Sequence, residues 1–80
     1  MKYNVYSIRD SRTGFLSLVL EQNDLSAQRN FEHACMQADS LMYSHASDYS
    51  LCRVGTFDTD TGCVESQLPE VIVDGSAVRK

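Results

Sequence analysis

One cysteine and two histidines have the residue types of a nucleophile and its base. Cys35 is the candidate nucleophile, with His33 or His45 as the base. Such a pair needs a further group that orients the base, and no pattern around these residues supplies one. Cys35 also falls on an apolar stripe of helical spacing, where cysteine behaves as a small core residue. The sequence therefore predicts a core cysteine, no catalytic residues and a protein that is not an enzyme.

The segment Asp58-x-Asp60-x-Gly62 resembles the start of a calcium loop. An EF-hand loop requires glycine at its sixth position and glutamate at its twelfth. Here Gly62 is fifth and Pro69 is twelfth. Structural zinc sites show a closely spaced cysteine pair, which this chain lacks. We therefore expect a hairpin turn at this segment, with no metal site and no cofactor.

Basic and aromatic side chains near the predicted strands have the chemistry to bind single-stranded nucleic acid. Arginines neutralise phosphates, and aromatic rings stack on bases. Tyr3 and Arg9 share strand parity, so both lie on one face if residues 2–9 form a strand. The candidate nucleic-acid-binding residues are Tyr3, Arg9, Arg12 and Arg53.

An alternative interpretation gives these residues structural roles. Tyr3 then packs in the core, and the arginines pair with Asp10, Asp58 and Asp60. The chain has 7 Lys and Arg against 11 Asp and Glu, a net charge of −4. Proteins that coat nucleic acid by bulk charge are usually basic. Composition alone favours this alternative, although it leaves room for a local basic patch.

Turn residues and alternating apolar residues predict two hairpins. The turns are 10–14 and 58–62, each ending in glycine, which tolerates positive φ. Strands are predicted over 2–9, 15–20, 51–57 and from 63 onwards, with Leu68-Pro69 interrupting the last and 70–73 as its continuation or an edge strand. The first strand carries aromatic or branched residues on both faces, which favours a central strand covered on both sides.

Between the hairpins, apolar residues at steps of three and four predict one helix over 25–43, with a break near Asp39-Ser40 as an alternative. Residues 44–49 are polar and predict a loop. The order β-β-α-β-β indicates an α+β fold, in which one main helix packs on one face of an antiparallel sheet of three to five strands. We expect a single domain over residues 1–73 and a disordered tail over 74–80.

The length and the cysteine pattern narrow the class of protein further. A chain of 80 residues has a small core, and assembly into a homo-oligomer would bury more apolar surface than the single chain can. Three widely spaced cysteines favour reduced thiols in a cytoplasm over a disulfide framework. No apolar run approaches the length of a membrane span, and residues 1–10 lack the apolar core of a secretory signal.

Several segments resemble one protein family. They are MKYNVYSIRD-x-x-TGF at residues 1–15, R-N-F-x-H-A at 29–34, DSLMYSHASDYSL at 39–51 and RVGTFDTDTG at 53–62. Together they resemble the small nonstructural protein of gokushoviruses, which are Microviridae, bacteriophages with single-stranded DNA genomes. The resemblance covers roughly residues 1–63.

The resemblance implies a non-catalytic phage protein that binds single-stranded DNA during viral genome replication or packaging, in the cytoplasm of the host bacterium. It implies no catalytic residues. A second hypothesis follows from the negative charge and the lack of catalytic motifs: an acidic interaction protein that binds and modulates a host or viral protein.

Overall fold

The chain forms a four-stranded antiparallel sheet with its main helix on one face. The structure, a computed structural model, describes residues 1–78. In the sheet the strands lie in the order β2-β1-β3-β4. The predicted α+β class is confirmed. The elements are β1 (Lys2–Asp10), β2 (Gly14–Glu21), α1 (Asp24–Cys35), α2 (Leu41–Ser44), a 3₁₀ turn (Ala46–Asp48), β3 (Tyr49–Asp58), β4 (Val64–Asp74) and α3 (Gly75–Val78).

Two glycines with positive φ close the hairpin turns. Gly14 has a φ of 104° and Gly62 a φ of 75°, values that glycine adopts without a steric penalty. The Gly62 N–H donates to the Asp58 carbonyl at 2.8 Å. The Asp60 N–H donates to Asp58 Oδ1 at 2.9 Å, and this hydrogen bond lowers the pKa of Asp58. The acidic segment 58–62 is therefore a hairpin turn, as predicted.

The segment predicted as one helix forms two. α1 begins after Asn23, whose side chain accepts a hydrogen bond from the Ser26 N–H at 2.8 Å. The hydroxyl of Ser40 accepts from the Tyr43 N–H at 3.2 Å and caps α2. A serine bonded in this way competes with continuation of the preceding helix. The break therefore spans 36–40 and includes the Asp39-Ser40 position named by the alternative prediction.

β4 runs without interruption through Leu68-Pro69. Its register with β3 passes from Arg53↔Glu70 to Gly55↔Ser66, so residues 67–69 oppose Val54 alone. A bulge of this kind accommodates a proline, which has no N–H for the ladder. The expected interruption is thus a local irregularity of a continuous strand. The predicted loop over 44–49 likewise contains the 3₁₀ turn and the first residue of β3.

The core lies between α1 and one face of the sheet. Tyr6 of β1 and Leu51 of β3 meet the buried residues of α1, which are Ala27, Phe31 and Cys35. Partly buried side chains from α2, β4 and α3 surround this cluster: Met42, Ile72, Val73 and Val78, together with Ile8. β1 is central, as predicted. Both its faces are buried at its middle, as predicted, since Val5, Tyr6 and Ser7 are 3%, 1% and 2% exposed, although α1 packs only on the face of Tyr6.

A hydrogen-bonded ion pair fastens the start of α1 to the sheet. The hydroxyl of Tyr6 donates to Asp24 Oδ1 at 2.5 Å and accepts from the side-chain amide of Asn4 at 3.0 Å. Arg53 Nη1 donates to both Asp24 carboxylate oxygens, at 3.2 and 3.1 Å, and Nη2 donates to Glu70 at 3.2 Å. Asp24 therefore contacts β1 and β3 at once. Its negative charge in the first turn also complements the helix dipole.

The chain after β4 folds back onto the domain. Gly75–Val78 form the short helix α3, and Val78 packs against the core cluster. Gly75 is buried beside the Ala46 carbonyl, where a Cβ atom would overlap backbone atoms. Where we expected a disordered tail over 74–80, residues 74–78 are thus ordered by packing on the 3₁₀ turn. Residues 79 and 80 lie outside the described residues.

We predict that Gly75→Ala destabilises the protein by about 1–3 kcal/mol, because the added methyl forces the two backbone segments apart. Urea unfolding followed by circular dichroism measures this change. Ser76→Ala is the control, since Ser76 is exposed and its replacement should leave the free energy of unfolding nearly unchanged. Equal stability of the two variants would show that α3 does not pack as described.

We also predict that stability falls with pH through the titration of Tyr6. Burial, and next the hydrogen bond to Asp24, raise the pKa of Tyr6 from 10.0 to about 12. Between these pH values the unfolded tyrosine releases its proton while the folded one keeps it. The stabilisation is therefore complete below pH 10 and is lost as the pH rises towards 12.

Tyr6→Phe provides the comparison. At pH 7 the variant should be less stable by about 1–2 kcal/mol, because it lacks a hydrogen bond to a carboxylate. Urea unfolding at pH 7, 10 and 11.5 measures the difference between the two proteins, which we expect to shrink as the pH rises. A difference that stays constant would contradict the assignment.

Candidate nucleic-acid interface

The sheet has one face without helices, which we call the uncovered face. The register of the strands places on it Tyr3, Val5, Ser7 and Arg9 of β1, with their partners on the neighbouring strands. On β2 the partners include Leu18 and Leu20. On β3 they include Cys52, which pairs with Val71 of β4, and Phe57, which pairs with Val64 of β4. The centre of this face is buried, since Val5, Ser7 and Cys52 are at most 3% exposed. Its exposed side chains lie on the outer strands; Leu18, for example, is 66% exposed.

Arg9 lies on the uncovered face at the end nearest the β1–β2 turn. Arg9 is exposed, and its side chain makes no hydrogen bond or ion pair with the rest of the described chain. Phe15 is its direct partner on β2 and is 49% exposed. Cross-strand partners lie side by side on one face. A guanidinium group and an aromatic ring are therefore adjacent and accessible here.

Arg12 lies in the same turn, three residues beyond Arg9. Its backbone N–H donates to Asp10 Oδ1 at 2.9 Å, which shapes the turn, while its side chain is exposed and makes no ion pair with another described residue. It borders a shallow cleft with His45 and Tyr49. Burial and then the charge of Asp10 raise the pKa of Tyr49. The turn thus carries a second available guanidinium group beside a carboxylate.

Tyr3 shares the uncovered face with Arg9, as the strand parity predicted. Six residues separate the two along β1, which corresponds to about 20 Å. Tyr3 is half-buried beside Phe57, its partner on β3. It therefore belongs to an aromatic pair at the far end of the face.

Arg53 lies on the opposite face, where it pairs with Asp24 and Glu70. Its side chain is 26% exposed, and its Nε atom is buried without a hydrogen-bond partner among the described residues. The structure thus places Arg9 on the uncovered face and Arg12 in the adjoining turn, beside a cleft that Leu41 of α2 also lines. Tyr3 lies at the far end of the uncovered face, and Arg53 lies on the helix-covered face. The alternative interpretation paired the arginines with Asp10, Asp58 and Asp60. Within residues 1–78 none of these ion pairs forms: Arg53 pairs with other acids, and Arg9 and Arg12 pair with none.

Phe15 joins Arg9 as a candidate that local sequence patterns do not single out. These patterns place it only on a strand, and its place beside Arg9 depends on the register of the hairpin. That register shifts between Ser7 and Arg9, where β2 contains an irregularity. The turn itself indicates this pairing. Asp10 and Gly14 form the last pair before the turn, so the next residues outward, Arg9 and Phe15, pair with each other.

The candidate catalytic residues are kept apart by the fold. Cys35 is fully buried in the core, whereas His33 is exposed and hydrogen-bonded to Gln37 at 2.8 Å. His45 bonds to the neighbouring Ser44 hydroxyl at 2.8 Å. Residues 1–78 contain no group of three or more side chains placed to hold a metal ion. Within the same range, no helix has the length and apolar character needed to cross a bilayer.

A protein-family model described as phage ORF5 protein matches residues 3–78. No curated protein and no solved structure matches the chain. The resemblance to a phage protein is confirmed at this level, while membership of the Microviridae stays a prediction. Because the match spans nearly the whole sequence, the chain belongs to the phage ORF5 protein family.

Proposed function

We propose that this phage protein is a non-catalytic component that binds single-stranded DNA, in the host bacterial cytoplasm, while viral genomes are replicated or packaged. The binding site consists of Arg9, Arg12 and Phe15, which we call the hairpin corner. The observation that carries the proposal is the availability of Arg9 and Arg12, which are exposed and have no carboxylate partner in an ion pair within residues 1–78.

The chemistry of the hairpin corner suits a flexible strand with exposed bases. Guanidinium groups bind phosphate oxygens through paired hydrogen bonds. The half-exposed ring of Phe15 offers a base a surface for stacking, which is tolerant of sequence because every base has an aromatic face. A duplex hides its base faces, so this combination favours a single strand.

The acidic total limits how strongly the protein attracts DNA from a distance. With a net charge of −4, the chain as a whole repels a polyanion, and binding relies on local contacts. Two phosphate contacts correspond to a salt slope of about −1.4 on logarithmic axes, at roughly 0.7 per contact on a single strand. We therefore expect affinity in the micromolar range with a modest dependence on salt.

Fluorescence anisotropy with a labelled single strand of about 30 nucleotides, at about 50 and 200 mM salt, measures this binding. Arg9→Gln/Arg12→Gln should weaken binding at least about tenfold at the lower salt and flatten the slope by about 1.4. The control is Lys2→Gln/Arg29→Gln, which removes the same charge from two other exposed residues without an ion pair. If both double variants lose the same affinity, the loss reflects non-specific charge, and the assignment of the binding site is wrong.

A second candidate function is the binding of a host or viral protein, and the outer edge of the sheet favours it. Within residues 1–78, β4 is an edge strand of 11 residues that pairs only with β3, and Leu68 on it is 89% exposed. An extended peptide can add to such an edge as a further strand. The absence of DNA binding at either salt, together with capture of a defined phage or host protein that Leu68→Asp abolishes, would favour this function instead.

A further inference from the structure

A contiguous apolar patch occupies the centre of the uncovered face. The register of the sheet places apolar residues of all four strands side by side on this face. Leu18, Val64 and Val71 are 66%, 63% and 56% exposed. We call these residues the apolar patch: Val5, Leu18, Leu20, Phe57, Val64 and Val71. The exposed members lie on β2 and β4, while Val5, at 3% exposed, and the half-buried Phe57 lie between them. Contiguous exposed apolar surface on a soluble monomer commonly marks an interaction site.

We propose that the apolar patch is the interface of a homodimer in which two copies pack sheet against sheet. Each copy then has α1 on one side of its sheet and the partner's sheet on the other, a four-layer arrangement. Sheets packed face to face lie about 10 Å apart with interdigitating side chains. This proposal is independent of the proposed function, since the hairpin corner lies at the edge of the patch.

The dimensions of the patch suit an interface between two copies. Three inter-strand spacings plus the side chains at each edge give a width of roughly 20 Å, and the patch extends over about 20 Å along the strands. Two patches of roughly 400 Å² bury about 800 Å² in total, at the small end of interface sizes. This area suits an association of two copies that is weak and depends on concentration.

The charge of the patch also favours self-association. The charged residues that the register places on the uncovered face are Arg9 and Asp74, one of each sign. Both lie near Cys52: burial raises the pKa of this thiol, the charge of Arg9 lowers it and that of Asp74 raises it. The face is thus close to neutral although the chain carries a net charge of −4. Two copies that meet through it do not bring their acidic surfaces together.

Sedimentation equilibrium with reductant present, without DNA, tests the proposal. The wild-type protein should approach twice the chain mass of 9.0 kDa as its concentration rises from about 10 µM to 1 mM. Leu18→Lys should weaken association at least about 100-fold, because a two-fold dimer contains the change twice and buries two unpaired charges. Reductant excludes disulfide-linked dimers through the exposed Cys63.

Leu41→Lys is the matched control. Leu41 is also 66% exposed but lies on α2, outside the uncovered face, and the charge change is the same. This variant should dimerise like the wild type. Circular dichroism checks that Leu18→Lys remains folded, and Val71→Lys, on the far side of the patch, serves as a second variant with the same expected loss. A wild-type protein that stays monomeric, or a dimer that resists both patch variants, overturns the proposal.

Discussion

The position of Asp24 at the start of α1 determines much of this structure. Its carboxylate accepts a hydrogen bond from Tyr6 on β1 and pairs with Arg53 on β3. One side chain thus holds the helix across the two central strands, directly above the cluster that includes Phe31 and Leu51. Arg53 is only partly exposed and retains a buried Nε atom without a partner, so the removal of Asp24 would leave a guanidinium group poorly compensated. The same contact engages the guanidinium group of Arg53 with carboxylates, unlike those of Arg9 and Arg12.

A single helix of 12 residues covers only one face of a four-stranded sheet. The other face keeps apolar side chains such as Leu18 and Val71 in contact with solvent. Most soluble domains of this architecture bury such a face against a second layer, since exposed apolar area lowers the solubility of the monomer. In the proposed homodimer, the sheet of a second copy is the layer that covers this face. The hairpin corner remains at the rim of that interface, where polar and charged groups commonly lie.

The distribution of charge matters more here than its total. The chain is acidic, and Arg53 on the helix-covered face of the sheet is paired, while Arg9 and Arg12 are not paired with any described acid. A binding site for a polyanion on such a protein must be small and must add other contacts, because attraction at long range is absent. In the proposed site, Phe15 is the residue that would supply such a contact.

Local patterns in the sequence determined the hairpins, the helix and the α+β class. These patterns are the turn residues ending in Gly14 and Gly62, the alternating apolar residues and the apolar stripe of helical spacing. Each depends on a few neighbouring residues, so each can be recognised without a structure. Only the tertiary structure decided which face each arginine occupies. Simple parity groups Arg53 with Phe57, but the bulge at Val54 reverses the alternation and places them on opposite faces. The pairing of Arg9 with Phe15 and the packing of Gly75 on Ala46 likewise depend on register and on contacts between distant segments, which no local pattern encodes.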